Sequence, residues 1–282
     1  MIDTHPSLYI APTLGDALSA LGERGAEGAA FAGGTWIMRA PIRHQPLGRA
    51  YVALGKIEEL QRVDVTPAHV EIGACATHAT IAAALAPCSD LAVLAEAAGR
   101  SANPAVRSAA TIGGNLMAAD FAAADLVPAL LCLEASVEIV ARDGVERMTI
   151  SDFLLKRQYL ACDRLLSRIR IERADRRSAH TRLPLRKAGD YPVAIVSLSA
   201  RIEAGRLMEP RIAVGSVEPV ARRWTPLEAA LEGAPIDIAA ARHAAEAYAA
   251  YFQGREGIEA PGWYRISVLP ALIGRALQSL SS

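Results

Sequence analysis

The chain has 282 residues, 52% of them apolar and only 5% aromatic, which is enough to bury the cores of roughly two or three compact units and more than one small domain needs. Its 30 basic and 30 acidic residues cancel to a formal net charge of zero, so no global field favours nucleic acid or an anionic membrane as partner. No apolar run approaches the ~20 residues that span a bilayer. The stretch Met1 to Thr13 has no basic segment leading into an apolar core, so no secretory signal is expected and the protein is expected to be soluble and cytoplasmic.

Taken in chain order, Pro12-Thr13 opens a predicted helix whose apolar positions Leu14, Ala17, Leu18 and Leu21 share one face, with Gly22 placed to end it. Ala29 to Ala32 is a short apolar strand broken by Gly33-Gly34, and Val52 to Leu54 and Val70 to Gly73 are further short strands. Ala-rich helices are expected near Thr77–Leu85 and Ser89–Ala98, capped by Thr77 and Ser89. Gly99 to Asn115 reads as irregular, Leu126 to Leu133 as helix, and Val137 to Ala141 and Leu165 to Ile171 as strands.

The polar segment Ala174 to Thr181 is the expected domain boundary. The basic cluster Arg164 to Arg177, interrupted by Glu172 and Asp175, reads as a solvated strand end and loop. Beyond it, Ala194, Val196, Leu198, Ala200 and Ile202 alternate as in a half-buried strand, and Leu207 to Val217 is its partner across a turn at Ala204-Gly205. Helices at Pro226–Leu231, Asp237–Phe252 and Tyr264–Leu280 complete an expected antiparallel sheet backed by three helices.

Two constellations carry chemistry. In Phe31-Ala32-Gly33-Gly34-Thr35-Trp36 a strand runs into a double glycine, which lets the backbone turn sharply and expose consecutive N–H groups as an anion-binding nest, with Thr35 adding a hydroxyl. Thr111-Ile112-Gly113-Gly114-Asn115 repeats that grammar. Two such loops are suited to hold the two phosphates of a dinucleotide from opposite sides; each alone reads equally as an ordinary tight turn. Neither fits G-x-G-x-x-G or G-x-x-x-x-G-K-[ST], so a doubly wound nucleotide fold is disfavoured. The four cysteines, Cys75, Cys88, Cys132 and Cys162, contain no C-x-x-C pair. They read as reduced core thiols rather than as zinc or iron–sulfur ligands. His5, His44, His69, His78, His180 and His243 show no metal-ligand spacing.

Together these segments resemble the FAD-binding medium subunit of the molybdenum hydroxylase family, which includes xanthine dehydrogenase and CO dehydrogenase. The resemblance rests on AGGT (32–35), EIGACATHATI (71–81), NPAVRSAATIGGNL (103–116), RKAGDYPVAIVSLS (186–199) and WYRISVLPALIGRAL (263–277), in that order along nearly the whole chain. It implies an α+β fold: a two-subdomain FAD-binding unit of the PCMH-like type (residues 1–175, with subdomains of about 1–55 and 56–175), then a CO dehydrogenase flavoprotein-like C-terminal domain (176–282). It implies FAD with its pyrophosphate between Ala32, Gly33, Gly34, Thr35, Trp36 and Thr111, Ile112, Gly113, Gly114, Asn115. Ser101 and Ala102 would flank the isoalloxazine, with Tyr191 and Lys187 near it; Lys187 reads equally as a surface charge. The stretch LMAADFAAADLVP (116–128) departs from the family, with Phe121 where a proline is usual, so either Asp120 or Asp125 would take the carboxylate role at the ribose or adenine end; Asp125, before Pro128, is preferred.

Oxidases that bind flavin covalently carry a histidine beside the glycine loop. Thr35-Trp36 stands there instead, so the FAD is expected to be non-covalent. The family relays electrons from iron–sulfur clusters through FAD to an external acceptor. Molybdopterin and [2Fe-2S] clusters are therefore expected only on partners, a small iron–sulfur subunit and a large molybdopterin subunit, arranged as a dimer of heterotrimers. A stand-alone flavin-dependent oxidoreductase is the alternative.

Overall fold

The computed structural model describes residues 7–48, 50–185 and 191–281. The first unit holds β1 (Ser7–Ile10), α1 (Leu14–Arg24), β2 (Gly28–Phe31) and β3 (Ala50–Ala53), with the strands parallel in the order β1-β3-β2. Thr13 caps α1 by accepting from the Asp16 N–H at 3.1 Å. Gly25, at φ +53°, ends the helix one turn later than the predicted Gly22. Ala17, Leu18 and Leu21 face Val52, Leu54, Ile57 and Leu60 in one apolar cluster.

The second unit contains β4 (Val63–Val65), β5 (His69–Gly73), α2 (His78–Leu85), α3 (Ala92–Arg100), α4 (Pro104–Arg107), α5 (Ile112–Met117), α6 (Leu126–Cys132), β6 (Ser136–Ala141), β7 (Gly144–Thr149), α7 (Ile150–Lys156) and β8 (Leu165–Glu172). Its antiparallel sheet runs β4-β5-β8-β6-β7. Thr77 caps α2 as expected. Ser89 instead opens a 3-10 turn, and α3 starts three residues later without a side-chain cap. The segment read as irregular, 99–115, contains the short helix α4 and the start of α5, each opened by a side-chain cap, Asn103 and Thr111.

The third unit holds β9 (Arg177–Pro184), β10 (Pro192–Glu203), β11 (Arg206–Gly215), β12 (Arg222–Arg223), α8 (Thr225–Leu231), α9 (Ile238–Ala247), α10 (Gly262–Ser267) and α11 (Leu269–Ser281). Its antiparallel order is β12-β11-β10-β9. Ala204 and Gly205, both at positive φ, turn β10 into β11. Four helices rather than three accompany this sheet among the described residues, because the terminal helix breaks at Val268. Helix α9 also stops at Ala247, short of the predicted Phe252. The segment expected as a boundary already contains the start of β9.

Strand β10 was expected to be half-buried, yet Pro192 to Ala200 are all buried. It packs against α11 and also against α3 and α6 of the second unit. Its buried hydroxyls are satisfied locally: Ser197 meets His180 Nδ1 at 3.0 Å and Ser199 accepts from Arg176 Nε at 2.9 Å. Just beyond β8, where the chain leaves the second unit, Arg173 grips Asp90 through two bonds of 2.9 and 2.7 Å.

The first and second units meet backbone to backbone. A Cβ on Gly33 would lie 1.8 Å from the Ala109 carbonyl oxygen; within the second unit, one on Gly113 would lie 2.6 Å from that of Ala74. Gly113→Ala therefore forces a methyl group into main chain that cannot rotate away. An over-packing cost of about 1–3 kcal/mol, at roughly 2–4 °C per kcal/mol in a chain near this size, predicts a fall of several degrees in the melting temperature. Thermal unfolding of the variant beside the parent checks this; an unchanged midpoint would mean that the strand end at Ala74 yields freely.

Candidate functional site

The two glycine loops lie side by side but carry different chemistry. In the second, Thr111 accepts from the Gly114 N–H through Oγ1 (3.1 Å) and from the Asn115 N–H through its carbonyl (2.9 Å). The Ile112 and Gly113 N–H groups donate to Ala76 O (3.0 Å) and Ala74 O (2.8 Å). Each N–H from Ile112 to Asn115 is therefore already bonded, and Ile112 is a core residue with 0% exposure. The expectation that this loop is a second anion nest is corrected: its cap and the neighbouring chain use the donors that a nest would offer.

The first loop behaves as a nest should. Among the described residues, none accepts a hydrogen bond from the backbone N–H of Gly33, Gly34, Thr35 or Trp36, or partners the Thr35 hydroxyl. Gly34 sits at φ +69°, a conformation that L side chains rarely adopt. The half-buried loop thus presents four consecutive backbone donors and a hydroxyl. Beside it, Asn115 Oδ1 is buried without a partner, as expected of a group waiting for a ligand donor. This arrangement fits a dinucleotide diphosphate held by the first loop against the wall made by the second.

An aromatic cluster leads away from the nest. Trp36 packs on Phe121 with ring centroids 4.4 Å apart, and Phe121 meets Tyr191 edge-to-face at 5.1 Å. Arg43 lies 3.9 Å over the Trp36 ring, and Arg39 Nη1 donates to the Tyr191 hydroxyl at 2.6 Å. Trp36 Nε1 donates to Asp120 Oδ1 at 2.9 Å. Tyr191 is thus brought beside Phe121 and Arg39, close to the first loop. Lys187 lies outside the described residues. Sequence reasoning missed Arg39 and Arg43. Their spacing behind Trp36, on the 3-10 turn Ile37–Arg43, was the available signal.

The carboxylate preference is also corrected. Asp125 is only 5% exposed. Its Oδ1 accepts from Arg182 Nε at 2.8 Å and lies 3.8 Å from His180 Nε2. It is an internal ion-pair partner joining α6 to β9. Asp120, the other candidate, is exposed and faces the first loop.

Ser101 and Ala102 reach the same region through a chain of contacts. Ser101 Oγ bonds His78 Nδ1 at 2.7 Å, and the His78 N–H donates to Ala110 O at 2.9 Å, next to the carbonyl that abuts Gly33. Burial pushes His78 down to about 4, against the opposing pull of Asp125. The four cysteines are free, three of them buried, and burial pushes Cys75 up to about 12. Among the described residues no group of three or more His, Cys, Asp or Glu could hold a metal ion, and no helix is long and apolar enough to cross a membrane.

Comparison with known proteins places the chain in a family. Residues 4–173 match the family described as the FAD binding domain in molybdopterin dehydrogenase, and residues 179–280 match the CO dehydrogenase flavoprotein C-terminal domain. The chain is 30% identical over 230 residues to the nicotine 6-hydroxylase medium subunit of Paenarthrobacter nicotinovorans, covering 80% of each. It is 26% identical to the carbon monoxide dehydrogenase medium chain of Hydrogenophaga pseudoflava, covering 96% of each. A solved carbon monoxide dehydrogenase from that organism, lacking the Mo-pyranopterin moiety of its cofactor, superposes with a TM-score of 0.89 at 25% identity over 100% of this chain and 99% of that one. Quinoline 2-oxidoreductase from Pseudomonas putida 86 shares the fold, with a TM-score of 0.89 at 24% identity over 100% and 98% of the two chains.

The buried His78 makes a pH prediction. Its folded pKa lies below the unfolded value, so the unfolded chain binds the extra proton between pH 6.5 and about 4. Its contribution to stability is complete above pH 6.5 and is lost as pH falls towards 4, by up to about 3 kcal/mol. Denaturant unfolding of the parent and His78→Asn over this range should show a steeper acid loss in the parent; identical pH slopes would show that His78 is not held neutral.

Proposed function

The chain belongs to the family of FAD-binding subunits of molybdopterin dehydrogenases, and from that membership we propose that it is an electron relay that does not touch the organic substrate. Electrons enter its FAD from iron–sulfur clusters on a small partner subunit, supplied in turn by a molybdopterin centre on a large one, and leave to an external acceptor. The complete assembly is a dimer of heterotrimers in the cytoplasm. The name "medium subunit" borne by the nicotine 6-hydroxylase relative supports the multi-chain reading. So does the dispersal of this chain's cysteines, three of which are buried.

The observation that carries the FAD-binding part of the proposal is the contrast between the glycine loops. Four free N–H groups and the Thr35 hydroxyl receive the FAD diphosphate, while the bonded second loop gives that site a wall that does not move. Free backbone donors suit an anion because they need no counter-charge and cost little to reorganise. FAD supplies the chemistry, accepting electrons and passing them on. The protein binds and orients it. Asp120, bonded to Trp36 Nε1, takes the carboxylate role at the ribose or adenine end, and Tyr191, Ser101 and Ala102 stand at the ring. Arg39, held to the Tyr191 hydroxyl, is a cation available beside the flavin in addition to Lys187.

Two outcomes are expected. Acid precipitation of the purified, reconstituted chain should release one FAD per chain into the supernatant; flavin retained in the pellet would contradict non-covalent binding, and no flavin at all would remove the proposal. The single chain with stoichiometric FAD should oxidise no aldehyde, purine, N-heterocycle or CO, whereas the assembly co-expressed with the small and large subunits should turn over. Sustained oxidation by the single chain would favour the stand-alone flavin-dependent oxidoreductase.

A further inference from the structure

The turn between α3 and α4 is held in a way that neither helix explains. Ala102 sits at φ +46°, the left-handed region that an alanine avoids. Both neighbours are pinned. Ser101 is buried, and its hydroxyl is tied to His78 Nδ1 at 2.7 Å and Ala98 O at 3.0 Å. Asn103 caps α4 by accepting from the Val106 N–H at 2.9 Å, and Pro104 keeps it extended. The reversal of direction therefore falls on Ala102.

Arg107 closes over this joint. Its Nη1 donates to Ser101 O at 3.2 Å and Ala102 O at 2.6 Å. Arg182 Nη1 donates to the preceding carbonyl, Arg100 O, at 3.1 Å. Three successive carbonyls thus accept from guanidinium groups. Among the described residues, none accepts from the N–H of Ala102 or Asn103. The turn is sorted, with its acceptors drawn back into the protein and its donors left free.

We propose that Arg107 is a positioning residue for the flavin ring: by holding the Ser101 and Ala102 carbonyls it keeps Ala102 left-handed and leaves the Ala102 and Asn103 N–H groups as donors for the electron-rich edge of a bound isoalloxazine. This rests on the FAD-binding reading above. It assigns a task to an arginine whose side-chain hydrogen bonds, among the described residues, all go to carbonyls of its own turn. The free donors complement a flavin edge, whose carbonyl oxygens and N1 and N5 nitrogens accept hydrogen bonds. An alanine suffices at φ +46° only while the clamp is present.

The dependence on Ala102 makes the proposal separable from a general loss of folding. In the full chain, Arg107→Gln should weaken FAD binding by about tenfold or more, shift the visible absorption envelope and change the reduction potential of the bound flavin. Ala102→Gly alone should alter affinity and envelope less than Arg107→Gln does. Added to Arg107→Gln, it should recover most of the lost affinity and return the envelope towards the parental form, because glycine holds a positive φ without the clamp. Ala102→Val, which leaves Arg107 in place but opposes the left-handed backbone, should reproduce the spectral change even if Arg107→Gln does not fold. Parental affinity and spectrum in Arg107→Gln, or in Ala102→Val, would overturn the proposal, as would a double variant no better than Arg107→Gln. A parent chain that binds no FAD would instead overturn the FAD-binding reading on which it stands.

Discussion

The architecture of the site depends on a contact in which side chains are absent. Gly33 lies against the Ala109 carbonyl and Gly113 against that of Ala74, at separations that no Cβ could occupy. The first approach lets the three-stranded parallel unit dock closely on the five-stranded one, beside an apolar cluster in which Cys75 and Leu165 meet Leu21 and Val52, and the second fixes the start of α5 against the end of β5. The loop after β2 and the loop before α5 are thereby placed side by side. Interiors packed at such density transmit a misfit instead of absorbing it, so the relation between the loops is as fixed as the backbone itself.

From this contact follows a division of labour. The second loop winds into a capped helical turn and uses its donors internally, so it is rigid and offers little to an anion. The first loop turns through Gly34 at positive φ and keeps its donors free. Around both, arginines grip backbone carbonyls. Arg157 donates to Leu116 O at the end of α5, and Arg265, fully buried, donates to Val193, Ser216 and Arg255 carbonyls. Ser216 bonds in turn to Pro192 O and, through its N–H, to Ala122 O. The segments carrying Tyr191 and Phe121 are consequently tied to the third unit. A planar, multidonor guanidinium suits this task, since one side chain can hold several carbonyls at fixed angles.

Much of this was legible in the sequence where the cause is local. Glycine pairs after an apolar strand, the helix starts at Pro12-Thr13 and Asp237, the cap Thr77 and the Ala204-Gly205 turn act over a few residues, and each stands where it was read. The family resemblance carried the fold. What escaped depends on distant partners. Asp125 looked like a ligand carboxylate because Arg182, its partner, is far along the chain. The second loop looked like a nest because the carbonyls of Ala74 and Ala76 that occupy its N–H groups belong to the end of another strand. Strand β10 looked half-buried because nothing in its alternation reveals that α3 and α6 cover its second face. Strands β1 and β7, exposed along almost their whole length, carry no burial pattern to read. Trp36 and Phe121 depart from or stand beside the familiar motifs, and only their contact in space shows that they belong to one cluster.

The central claim is that the first loop alone supplies free donors to the FAD diphosphate, while the second is a bonded wall. Amide hydrogen exchange on the chain with and without FAD tests this most directly. The amides of Gly33, Gly34, Thr35 and Trp36 should exchange fast in the apo chain and become strongly protected on FAD binding. Those of Ile112 to Asn115 should be protected already and change little. Bound FAD that leaves residues 33–36 unprotected, or that protects 112–115 instead, would contradict the account.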